Sequence, residues 1–142
     1  MAAGPQYGKQ YIRFAETALV ADNLAIPQFS VVADSGAGTD PTSITNVIAA
    51  PGEVMGVLQQ EFNLATSGFA TDLLRLGTVA TSGLLLVAMD AGNAVAIGDA
   101  LTVNATGQAA TGGSAVTVNG TAPQVRQLVT IGGTSFALVS FA

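Results

Sequence analysis

Residues 116–141 read VTVNGTAPQVRQLVTIGGTSFALVSF, and they decide the fold class. Val116-Thr117-Val118 runs into Asn119-Gly120, the strongest short hairpin signal, because both central residues of a type I′ turn need positive φ. Gln124–Ile131 then reads as a strand, Gly132-Gly133 as a turn, and Ser135–Phe141 as a closing strand.

Working towards the N-terminus, the same punctuation repeats. Asn104–Gly107 folds Ala100–Val103 back onto Gln108–Thr111, and Gly112-Gly113 breaks the chain again. Gly98-Asp99 and Asp90–Asn93 are turn clusters, with the short apolar piece Ala94–Ile97 between them. Leu84–Met89 is almost wholly apolar and therefore suits a strand buried on both faces. Thr81-Ser82-Gly83 reads as a turn joining it to Leu73–Val79. Val54–Gln60 leans to strand because Gly56 lies in its middle, and Gly costs about 1 kcal/mol against Ala inside a helix. Pro51-Gly52 is a turn after the apolar Ile44–Ala50, and Asp34–Ser43 is a loop of Gly, Ser, Thr, Asp and Pro. Gln28–Ala33 and Tyr11–Val20 are two further strands, with turn chemistry at Asp22-Asn23.

Many short strands with turns at close spacing predict an all-β fold, a small β-barrel or sandwich-like domain with at most one or two short helices. The places for a helix are 57–63 or 69–76. The expected organisation is an extended N-terminal arm over residues 1–11 and a single β-rich domain over 12–142. The arm is polar, contains Gly4, Pro5 and Gly8, and carries Tyr7; Tyr11 stands at its junction with the domain. Two aromatics so placed give contact area for a neighbour. Tyr7, Lys9, Tyr11, Arg13 and Phe14 are accordingly the candidate contact residues.

Composition narrows the function. The chain has no His, Cys or Trp, and 9% of its residues are charged against roughly 25% in an average soluble domain. Polar catalysis is run mostly by His, Cys, Lys or matched carboxylates, so no catalytic set is expected, and no cofactor or metal. Asp34 and Asp40 bracket a loop that lacks the spacing and terminal Glu of an EF-hand. Gly36-x-Gly38 lacks the third glycine of a dinucleotide fingerprint. Asn104-Ala-Thr106 and Asn119-Gly-Thr121 match a glycosylation acceptor pattern but are more simply hairpin turns. A net charge of −5, with Lys9, Arg13, Arg75 and Arg126 scattered, argues against nucleic acid and against an anionic membrane surface. No apolar run approaches the ~20 residues of a spanning helix, and no secretory signal is visible at the N-terminus. A chain so poor in ions and 49% hydrophobic is expected to have much of its surface covered by partners.

Gly98-Asp99-Ala100-Leu101-Thr102, followed by Thr106-Gly107-Gln108-Ala109, resembles a stretch of the small capsid decoration (cement) proteins of tailed bacteriophages. Gly56-Val57-Leu58, Leu74-Arg75-Leu76-Gly77 and the closing Ala137–Phe141 resemble that family's short strands, so the likeness spans roughly residues 50–142. The stretches 34–43 and 60–72 depart from it. The resemblance implies a β-rich structural virion protein without catalytic residues. It would form a homotrimer on the outer surface of the capsid, at three-fold or quasi-three-fold positions, and clamp the major capsid protein in the expanded head. The alternatives are a β-rich adhesive or carbohydrate-binding module, or a shell or tail-tube subunit.

Overall fold

The computed structural model describes residues 10–20, 26–34, 42–46, 54–59, 76–90 and 95–141. Nine strands follow in chain order: β1 (Tyr11–Val20), β2 (Val31–Asp34), β3 (Ser43–Asn46), β4 (Gly56–Leu58), β5 (Leu76–Ala88), β6 (Thr102–Val103), β7 (Ser114–Ala115), β8 (Gln124–Ile131) and β9 (Thr134–Phe141). The fold is all-β, and no helix occurs among the described residues.

Seven strands form one mixed sheet in the order β1-β3-β2-β4-β5-β9-β8, and β1 also pairs with β5. That extra pairing closes β1, β3, β2, β4 and β5 into a ring. Closure gives β3, β2, β4 and the inner end of β1 a partner on each edge. The interior of the ring is Ala18, Val20, Val32, Ile44, Leu58 and Val79, with Ile26 at one end, so each ring strand supplies an inward residue. Their chain neighbours Val31, Val57 and Ala80 belong instead to a second core, as the two-residue period of a strand requires.

This second core is the larger. It gathers Leu85, Leu86 and Val87 of β5 and Phe136–Val139 of β9 with Val95, Leu101, Val103, Ala109, Val116 and Val118 from the hairpins that follow. Leu85–Val87 are fully buried, so the apolar run of β5 is covered on both faces. Phe29 enters this core with its ring centroid 5.5 Å from that of Phe136, edge to face at 89°.

The hairpins take the forms that the turn residues dictate. Asn119 (φ 52) and Gly120 (φ 78) turn the chain between Val118 and Thr121. Gly132 (φ 58) and Gly133 (φ 82) join β8 to β9, whose register starts at Ile131↔Thr134. In the 104–108 turn, Asn104 Oδ1 accepts from the Thr106 amide (2.9 Å), the Thr106 hydroxyl (3.0 Å) and the Gln108 amide (3.0 Å).

Three expectations are corrected. Thr81-Ser82-Gly83 is not a turn: β5 runs unbroken through it from Leu76 to Ala88. The sequence there relieves crowding between strands instead of reversing the chain. Gly83 has φ +125, and a Cβ on it would lie 2.1 Å from the Tyr11 carbonyl oxygen of β1. The strand expected over 28–33 begins at Val31, because Gln28 and Phe29 form a turn in which Phe29 takes φ 63. Of the helix placed at 57–63, Val57 and Leu58 are strand; the rest of it, and nearly all of 69–76, lies outside the described residues, as do residues 1–9 of the arm, the turn at 22–23 and most of the 34–43 loop.

Candidate functional site

Every residue of β1 from Tyr11 to Thr17 is exposed, and burial begins only at Ala18. The cause lies in the pairing. β5 flanks β1 along its length, but β3 joins the other edge only at Leu19 and Val20. The outer half of β1 therefore projects from the ring with one edge unpaired among the described residues. An apolar side chain there is only partly covered by the described residues. Tyr11 is 65% exposed, Phe14 64% and Ile12 42%. Single exposed apolar residues are ordinary, whereas three within four positions of one strand make the segment a candidate contact surface.

The root of the strand is fixed. Gln10 Oε1 accepts the Leu86 amide hydrogen of β5 at 3.0 Å, and its Nε2 donates to Gln59 Oε1 at 3.0 Å. The side chain thus extends the ladder one step beyond Tyr11, which pairs with Leu84.

A double irregularity shapes the middle. Arg13 has no partner on β5 between Ile12↔Gly83 and Phe14↔Ser82, and Thr81 has none on β1 before Ala15↔Ala80. Each strand carries one extra residue, so the register is restored after both. The Thr81 hydroxyl donates to the Phe14 carbonyl at 3.3 Å across the disturbed ladder. Such bulges re-aim side chains. Beside this one lies an open cleft of about 750 Å³, lined by Arg13, Phe14, Glu16, Met55, Ser82 and Val118 among others. Arg13 and Glu16 put one charge of each sign on its rim.

Of the five sequence-predicted contact residues, Tyr11, Arg13 and Phe14 come together on this projecting strand, and Tyr7 and Lys9 lie outside the described residues. Ile12 and Glu16 belong to the same surface and were not singled out. The signal was present: Ile12, Phe14 and Glu16 alternate with Arg13, Ala15 and Thr17, so neither face of the segment is consistently apolar. A strand with no dry face cannot be a core strand over that length.

Among the described residues, no group of three or more His, Cys, Asp or Glu is placed to hold a metal ion. What the arrangement offers is contact: apolar and aromatic area, a free strand edge and two opposite charges. Comparison with protein-family models, with curated proteins and with solved structures finds no match to this chain.

Proposed function

We propose that the chain is a structural virion protein, not an enzyme. In this reading it binds the outer surface of a phage capsid as a homotrimer, at three-fold or quasi-three-fold positions, and stabilises the expanded head. The observation that carries the reading is the projecting half of β1, where Tyr11, Ile12 and Phe14 stand in solvent on a chain otherwise poor in ions. The resemblance of residues 98–109 to capsid decoration proteins gives that surface a partner, the major capsid protein or a neighbouring copy.

The physics is that of repeated weak contacts. A trimer presents each contact three times, so later contacts form at high effective concentration. A protein that binds the expanded lattice and not its precursor stabilises the expanded form by mass action. Faces of Ala, Val, Thr and Gly suit this task, because few ions need to be stripped of water on contact.

The test is co-sedimentation of the purified chain with expanded heads and with unexpanded shells built from the major capsid protein encoded alongside it. Saturable binding to the expanded form alone is expected. Equal binding to both forms, or to neither, refutes the proposal.

A further inference from the structure

The chain has six asparagines, and only Asn119 is followed by glycine. In an Asn-Gly pair the glycine amide nitrogen can attack the asparagine side-chain carbonyl carbon, because no side chain on the second residue hinders the approach. The structure separates this asparagine from Asn104, which also lies in a hairpin turn. Asn104 is half-buried and tied down: its Oδ1 accepts three hydrogen bonds, its Nδ2 donates to Gln108 Oε1 at 3.2 Å, and Ala105 follows it. Asn119 and Gly120 are both exposed among the described residues, at the tip of their hairpin.

That tip is nevertheless held in a shape that forbids the attack. Asn119 (φ 52) and Gly120 (φ 78) form a two-residue loop. The Val118 amide closes it by donating to the Thr121 carbonyl at 2.8 Å, and the Thr121 amide donates back to the Val118 carbonyl at 3.0 Å. These are the features of a type I′ turn, whose first central residue has ψ of about +30° as the mirror image of type I. At that ψ the Gly120 nitrogen stands almost opposite the Asn119 Cβ about the Cα–C bond. A five-membered ring through the two needs them nearly eclipsed. The bond must therefore swing by most of a half-turn, and both Val118–Thr121 hydrogen bonds must break. The stem resists this, because Val116 and Val118 are buried and the Thr117 carbonyl accepts the Val54 amide at 3.0 Å.

We propose that Asn119 is a site of spontaneous deamidation gated by the 118–121 hairpin, silent while the hairpin is closed and reactive when it opens. In the open form the Gly120 nitrogen gives up its proton and bonds to Asn119 Cγ, the Cγ–Nδ2 bond breaks, and ammonia leaves. Water then opens the resulting succinimide at either carbonyl, to an aspartyl or an isoaspartyl residue. The aspartyl product can close the same turn. The isoaspartyl product has an extra main-chain carbon, so the two-residue loop no longer fits and the hairpin stays open. Either product adds a negative charge to the cleft that Arg13 and Glu16 also line, since Asn119 forms part of its wall. The inference stands apart from the capsid reading and needs no partner.

The test holds the folded chain, and the chain unfolded in guanidinium chloride, in the same mildly alkaline buffer. Peptide mass mapping follows each asparagine, and methyltransferase labelling counts isoaspartate. Asn119 is expected to react first in the unfolded chain, and more slowly by about tenfold or more in the folded one, because the open hairpin is rare. The slowing should be independent of protein concentration. In isoaspartyl chains the Val118 and Thr121 amides should exchange hydrogen faster than in unmodified ones. Equal rates at Asn119 in the two states, or no reaction there in either, overturn the inference. Slowing that grows with concentration also overturns it, by assigning the protection to a covering copy. Isoaspartyl chains that keep both amides protected refute the one-way opening.

Discussion

Phe29 offers the sharpest check on how this fold is held. Its ring is 2% exposed and packs edge to face on Phe136, yet its backbone sits at φ 63. A bulky residue with positive φ is an outlier, since its Cβ crowds the neighbouring carbonyl at a cost of about 1–2 kcal/mol. The backbone has no freedom to relax. The Phe29 amide donates to the Leu58 carbonyl at 2.8 Å, and its carbonyl accepts from the Ala88 amide at 2.9 Å. This one residue therefore ties β4 to β5. Phe29→Ala removes the buried ring and should cost about 3–5 kcal/mol. Phe29→Gly removes the same ring and also the Cβ that carries the strain. In most settings glycine is less stable than alanine by about 0.5–1 kcal/mol. Here relief of strain should offset that loss, so the glycine variant should equal or exceed the alanine variant by up to about 1 kcal/mol. Urea unfolding of both variants measures the difference directly. A glycine variant less stable than the alanine variant by about 1 kcal/mol would refute the claim that the position is strained.

Two more perturbations address the joint between the 104–108 turn and β2. Gly107 has φ +80, and a Cβ there would lie 2.3 Å from the Val31 carbonyl oxygen. Gly98, at φ +93, has nothing within 4 Å of its own. Gly107→Ala should therefore cost clearly more than Gly98→Ala, which pays only the backbone strain of about 1 kcal/mol; equal losses in thermal unfolding would show that the close approach is unimportant. Ser30 is fully buried, and its Oγ has no hydrogen-bond partner among the described residues. Removing an unpartnered buried hydroxyl relieves a desolvation cost of about 1–3 kcal/mol, so Ser30→Ala should be neutral or stabilising, and a lower unfolding midpoint would contradict this.

The readable parts of the sequence were those whose structure is local. Asn119-Gly120 and Gly132-Gly133 set hairpins with their own dihedral preferences, so β8 and β9 emerged almost to the residue. The limits of β1 were visible for a similar reason. Thr81-Ser82-Gly83 misled because the residues of a turn are also those of a bulge. What distinguishes the two is whether a strand lies alongside, and that strand comes from residues 11–15, far back in the chain. Ring closure was hidden for the same cause, since the β1–β5 pairing joins segments that no local pattern links. Nothing in Gln28-Phe29-Ser30 announces a left-handed residue, so Phe29 looks like strand in the sequence; the buried pocket beside Phe136 and the bonds to Leu58 and Ala88 impose the turn. At the candidate site, Tyr11, Arg13 and Phe14 were legible as aromatic and charged residues near a polar terminus. That they share a projecting half-strand with Ile12 and Glu16 depends on where β3 stops pairing.

The proposed capsid role requires the outer half of β1 to lie against polypeptide when the chain is bound to heads. Hydroxyl-radical footprinting of the chain bound to expanded heads, compared with the same chain at high dilution, reads this at single residues. Oxidation of Tyr11 and Phe14 should fall several-fold on binding, while exposed Ile97, on a separate turn, serves as the reference. Tyr11 and Phe14 as reactive on the particle as in dilute solution would contradict the account.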